Sequence, residues 1–215
     1  MLICLFNAKG GVSKSTCSVH LIYYLSVILK KTVRLIDADP MRISSFWTKE
    51  LDLDVPIFQL TDPNDFLEQI PKISKSADYI VIDCPANASE MNRAIVFALS
   101  SEDKILIPVK PTSVDKIASN PTLRLLKQAN LHGKNFKAAT FISMAHRSRA
   151  VTKETREYLI SKQPETGVKV LSSVIYDKAS IADALDQGGV VWNMGNRALS
   201  EQQEFTDWCK EVIKL

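Results

Sequence analysis

A three-layer α/β fold, in which a mostly parallel twisted sheet is flanked by helices, follows from three features of the sequence. Short apolar runs of strand length recur along the chain, at 2–6, 32–37, 79–83 and 104–109 among others. Between them lie stretches whose apolar residues repeat at helical spacing. Several runs end in acids or tight turns, as strands do where a parallel sheet presents its C-terminal ends to a ligand. The 215 residues are 46% hydrophobic and 24% charged, with no repeats and no low-complexity linker. They read as one domain, 1–215, with a substantial core.

The first run, 2–6, reads as a buried strand. Asn7-Ala8-Lys9-Gly10-Gly11-Val12-Ser13-Lys14-Ser15-Thr16 follows it and enters 17–30, where Val19, Ile22, Tyr23, Leu25, Val27 and Ile28 suit a well-buried helix. A strand, a Gly-rich turn and a helix N-terminus together make an anion site, because backbone N–H groups point outward and the helix dipole favours negative charge. Lys14 is placed to reach outer phosphates and the Ser15 hydroxyl to ligate Mg²⁺. The strict phosphate-loop pattern fails, since its fixed glycines fall on Ala8 and Ser13.

The second strand, 32–37, ends in Asp37-Ala38-Asp39-Pro40. Carboxylates two apart at a strand end project on one side, beside the preceding loop in a parallel sheet. That places Asp37 to help hold a Mg²⁺ shell through water and Asp39 to orient an attacking water. Asp39 before Pro40 also suits a helix cap. A helix over 41–50 carries Phe46 and Trp47, read as packing residues, with a partner-facing role as the alternative. A short strand at 55–60 precedes Asp62-Pro63, a cap followed by proline at the first helical position. Phe66, Leu67, Ile70 and Ile73 continue that helix.

The run 79–83 ends in Asp83, placed to bind Mg²⁺ through water, and Cys84-Pro85-Ala86 follows. A helix over 87–99, a strand over 104–109 and a helix interrupted at Asn120-Pro121 come next. A strand over 138–144 leads to His146-Arg147-Ser148-Arg149 and a helix carrying Val151, Tyr158, Leu159 and Ile160. The last strand, 168–175, precedes a short helix from Ser180 with capping-box spacing to Asp183. Ser200 and Gln203 have the same spacing and open a final helix with Phe205, Trp208, Cys209, Val212 and Ile213 on one face.

Lys-Gly-Gly-x-x-Lys-Ser-Thr with its early Lys9 resembles the deviant phosphate loop of the ParA/MinD superfamily. Asp37-Ala38-Asp39-Pro40, Asp83-Cys84-Pro85 and the late Gly188-Gly189-Val190-Val191 turn extend the resemblance over nearly the whole chain. The resemblance implies a P-loop NTPase fold and a slow, Mg²⁺-dependent ATPase. It implies ATP held by Lys9, Gly10, Gly11, Val12, Ser13, Lys14, Ser15 and Thr16, with Pro111 lining the pocket. Catalysis would fall to Lys9, Lys14 and Asp39, and the metal to Ser15, Asp37 and Asp83. Lys9 would cross to the nucleotide of a second copy, making an ATP-bound homodimer; a cation supplied in trans is worth about 10³–10⁵ in rate. Ser13 departs from the family's glycine and is expected to slow hydrolysis or weaken binding, because a Cβ hinders the backbone geometry there.

The length resembles the short ParA type that segregates plasmids, binding DNA without sequence preference and released by a ParB-like partner. A cargo-positioning ATPase of the same superfamily, working on the nucleoid through a cargo-adaptor protein, is the alternative. A carboxylase-type P-loop synthetase is a further one. The candidate DNA face is Arg147, Arg149, Lys153, Arg156 and Lys178, basic residues able to neutralise several phosphates; Glu154 and Glu157 interleave with it, and Arg147 and Arg149 are alternatively placed toward the nucleotide or a second copy. The net charge of +3 permits DNA binding without arguing for it.

No apolar run reaches the ~18–20 residues of a membrane span. The last helix carries Lys210 and Lys214 against Glu201, Glu204, Asp207 and Glu211, unlike a basic membrane-surface helix. No membrane contact is expected, and the expected location is cytoplasmic, on the nucleoid. Cys4, Cys17, Cys84 and Cys209 form no CxxC and read as reduced core thiols.

Overall fold

The computed structural model describes residues 1–87, 90–146 and 149–215, and of Arg149 the backbone alone. The strands are β1 (Leu2–Leu5), β2 (Val33–Asp37), β3 (Ile57–Gln59), β4 (Tyr79–Asp83), β5 (Lys104–Val109), β6 (Lys137–Ala145) and β7 (Lys169–Tyr176). They form one seven-stranded sheet in the order β3-β2-β4-β1-β5-β6-β7, and every pairing is parallel. The helices are α1 (Lys14–Tyr23), α2 (Ile43–Glu50), α3 (Pro63–Ile73), α4 (Glu90–Ala98), α5 (Ser113–Ala118), α6 (Asn120–Leu131), α7 (Arg149–Thr166), α8 (Ala179–Asp186) and α9 (Leu199–Lys214).

Alternation along each strand builds the three layers. Cys4, Ile36, Ile80, Ile82 and Ile105 face α3, α4 and α6 through Phe66, Ile95 and Leu126. Ile3, Leu5, Leu35, Val81 and Leu106 face α1 and α9 through Leu21, Ile22, Phe205 and Trp208. The four cysteines are buried and unpaired by disulfides. No helix among the described residues is long and apolar enough to cross a membrane.

Several local expectations are corrected. The first helix begins at Lys14 and gives way to a π-helical turn, Tyr24–Ile28, closed by Leu29 N–H on Tyr24 O at 2.9 Å. Asp62 does cap α3, accepting from Asn64 and Asp65 N–H at 2.8 and 3.1 Å. The two later capping boxes do not form. Ser180 and Ser200 instead donate to the buried Glu201 at 2.7 and 2.8 Å, and α8 and α9 start without a side-chain cap. A buried carboxylate needs donors more than a solvated helix end does.

Candidate functional site

The C-terminal ends of β1, β2 and β4 converge because the sheet order sets β1 beside β4 and β4 beside β2. Cross-strand register aligns Leu5 with Asp83 and Asp83 with Asp37. The loop after β1 is fixed from several sides. Asn7 Nδ2 donates to Pro108 O at 2.8 Å, Ala8 N–H to Thr122 Oγ1 at 3.0 Å, and Ser143 Oγ to Val12 O at 3.0 Å. The N–H groups of Gly10, Gly11, Val12 and Ser13 meet no acceptor among the described residues. A row of free donors at a helix start is suited to anionic oxygens.

Gly11 adopts φ 68° and Ser13 φ 69°, ψ 24°. Both lie in the left-handed region, where a Cβ is unfavourable. Ser13 answers with its own side chain, donating to Val12 O at 2.5 Å. Lys14 is buried, and its ammonium donates to Lys9 O at 3.2 Å across the loop. Burial pulls its pKa down, while Asp83, Cys84 and Asp39 pull it back up. The ammonium of Lys9 forms no ion pair among the described residues.

The three acids have different partners. Asp37 is fully buried, and its oxygens accept from Asp39 N–H at 3.1 Å and Ser45 N–H at 2.9 Å. It therefore clamps the β2–α2 turn; the reason is that α2 starts close enough to present its N–H. Asp39 is half-buried, accepts from Met41 N–H at 3.0 Å and lines the cavity above the loop. Asp83 accepts from Ser18 Oγ at 3.2 Å through one oxygen, while its other oxygen is buried without a partner. Burial pushes this carboxyl up to about 6, with Asp37 raising it further and Ser15, Ser44 and Lys14 opposing. An orphaned buried carboxylate oxygen near a serine hydroxyl suits a hydrated Mg²⁺, which keeps waters and takes few protein ligands. The residues present fit the ion.

The cavity over the loop measures ≈ 330 Å³ and adds Met41, Ile43, Ala86 and Met144 to the loop residues. A neighbouring cavity of ≈ 210 Å³ shares Ser13, Thr16 and Met144 and is walled by Ile175, Ile181 and Leu185. Its apolar walls suit a flat ring. Met144 and Ile175 were missed in the sequence; their position at the ends of β6 and β7 was the signal available. Pro111, expected in the pocket, is buried where β5 enters α5 and is not part of either lining.

The basic group disperses. Arg156 donates to Leu171 O at 2.7 Å and Ser172 O at 2.8 Å, on the sheet's edge strand. Lys178 is bound to Glu204 at 2.6 Å and Ser200 at 3.0 Å. Both are held by partners within the fold. Lys153 is exposed, 3.8 Å from Glu157. Arg147 and the Arg149 side chain lie outside the described residues.

Residues 3–191 match the family described as the CobQ/CobB/MinD/ParA nucleotide binding domain. A relative in Halothiobacillus neapolitanus, the maintenance of carboxysome distribution protein A, is 30% identical over 212 residues, 96% of this chain and 94% of that one. Protein ParA of Rhizobium radiobacter is 24% identical over 89% of this chain and 85% of its own. The ATP complex of Cyanothece McdA(D38A) superposes with a TM-score of 0.77 at 15% identity, covering 100% of this chain and 96% of that one.

Proposed function

The chain belongs to the CobQ/CobB/MinD/ParA nucleotide-binding family, and on that premise we propose that it is an ATP-driven positioning ATPase whose cargo is a protein compartment. The observation that carries the ATPase part is the loop itself, with free N–H donors and buried Lys14 beside the unpartnered oxygen of Asp83. The cargo is supported by the relative named for carboxysome distribution, matched over nearly the full length of both chains. Plasmid partition, the first expectation, has weaker support, from ParA relatives of lower identity.

In this reading the loop N–H groups and Lys14 bind the phosphates of ATP. Ser15 and Asp83 hold Mg²⁺, which when bound draws charge off the phosphate oxygens. Asp39 orients the water, its carboxylate steadied by Met41 N–H. Lys9, whose ammonium forms no ion pair among the described residues, serves a second copy, so the ATP state is a homodimer. Positioning and charge stabilisation do most of the work in such transfers. DNA contact in the ATP state falls to Lys153, Arg147 and Arg149, and a cargo adaptor replaces the ParB-like partner.

The test is to exchange Lys14→Ala in the host cell while tracking both a labelled plasmid and its protein compartments. Loss of compartment spacing with normal plasmid inheritance is expected. Plasmid loss with undisturbed compartments would restore the partition reading.

A further inference from the structure

A cavity of ≈ 190 Å³ opens between α4 and α6, away from the catalytic acids, and Ala8 forms part of its floor. Phe6, Pro121 and Leu125 give it apolar walls, and Arg93 and Arg124 stand at its rim. Both arginines are exposed. Neither makes a hydrogen bond or ion pair among the described residues. The nearby carboxylate on that side, Glu165, is hydrogen-bonded by Lys127 at 3.0 Å, and Arg124 acts on it only through space.

The same helix faces continue outward into apolar surface. Phe97 is four residues from Arg93, and Leu131 seven from Arg124, so each pair shares a face. Phe97 is 41% exposed and Leu131 76% exposed. With a rise of ~1.5 Å per residue, Leu131 lies about 10 Å along α6 from Arg124; beside it Lys134 donates to Phe97 O at 2.5 Å, its ammonium 5.8 Å from the Phe97 ring.

The floor is tied to the phosphate loop. Thr122 Oγ1 accepts from Ala8 N–H at 3.0 Å and donates to Asn7 Oδ1 at 3.4 Å. Asn7 Oδ1 in turn accepts from Lys9 N–H at 2.9 Å. Two hydrogen bonds therefore separate α6 from the lysine assigned to a second copy.

We propose that the α4–α6 groove seats an acidic segment of a partner protein, whose carboxylates pair with Arg93 and Arg124 while an apolar residue one or two turns later covers Phe97 and Leu131. Thr122 is the positioning residue through which occupancy reaches Lys9. Charge complementarity selects the occupant: two exposed guanidiniums without a hydrogen bond or ion pair among the described residues, set over apolar walls, match carboxylates on an amphipathic helix. The effect on Lys9 rests on the ATPase reading; the docking itself does not.

The probe is a fluorescein-labelled helical peptide carrying two glutamates and, one turn on, a leucine, with a lysine-for-glutamate counterpart. Anisotropy is measured without nucleotide on the wild-type chain and on the R93E/R124E variant. The expected result is a swap: the wild type binds the acidic peptide at least about tenfold more tightly than the basic one, and the variant reverses the order. Equal binding of both peptides, no binding, or displacement by mixed-sequence duplex DNA would overturn the docking site. With ATP present, the acidic peptide should change turnover in the wild type and in Thr122→Ser. In Thr122→Val it should bind equally and leave turnover unchanged. A full response in Thr122→Val would remove the relay and leave the groove standing.

Discussion

Ser13 is a residue whose local chemistry disagrees with the backbone it occupies. Its φ of 69° is one that Gly adopts without cost. For a residue with a Cβ the strain is about 1–3 kcal/mol. The Ser13 hydroxyl on Val12 O offsets part of it and ties the loop's turn to its own carbonyl. Replacing Ser13 with Gly should therefore raise the urea midpoint, by about 1 kcal/mol of stability, and increase ATP turnover. A lower midpoint with unchanged turnover would show that the hydroxyl bond outweighs the strain. The departure from glycine was readable in the sequence, because the motif fixes which position needs the left-handed turn. The fate of Asp37 was not. Its spacing from Asp39 suggested a metal role; that its oxygens also accept N–H groups was not visible, because only the placement of α2 brings Ser45 near. Phe46 and Trp47 make the same point. Adjacent on a helix, they face different ways, with Phe46 61% exposed and Trp47 2% exposed and donating to Gly189 O at 2.6 Å.

At the scale of elements, β7 explains what holds Arg156 of the expected basic face. As the sheet's edge it carries backbone groups with no strand to pair with. Side chains from two helices satisfy them. Arg156 of α7 covers Leu171 O and Ser172 O, while Glu211 of α9 accepts from Ser172 and Ser173 N–H at 2.6 and 2.9 Å. Glu204 accepts from Tyr176 N–H at 3.2 Å. Two of the acids that made the final helix look unlike a membrane helix, Glu204 and Glu211, thus serve the strand edge. Arg156→Ala should cost about 1–3 kcal/mol in chemical denaturation, as two carbonyls lose their donor, with DNA affinity unchanged. Unchanged stability with weakened DNA binding would return Arg156 to a nucleic-acid surface. Strands and helices were legible here because burial on both faces leaves continuous apolar runs. Charged side chains along α7 and α9 were not, since a basic or acidic residue reads alike whether it meets solvent, DNA or a strand edge.

For the whole molecule, one parallel sheet gathers the ends of β1, β2 and β4 under the loop, and the ends of β6 and β7 beside it. The architecture was legible because the motif, the acid pair and the third acid come in the order that such a sheet requires. Which face meets a partner was not, since that depends on helices distant in sequence. The exposed Met41 and Ile43 line the mouth of the site, and the Lys9 ammonium forms no ion pair among the described residues. The central claim is that ATP joins two such chains through Lys9. Light scattering of the purified chain with ATP, with ADP and without nucleotide tests it most directly. A mass near 24.0 kDa should double with ATP only and should stay single in Lys9→Ala; an unchanged mass with ATP bound, or a Lys9→Ala dimer as strong as the wild type, would contradict it.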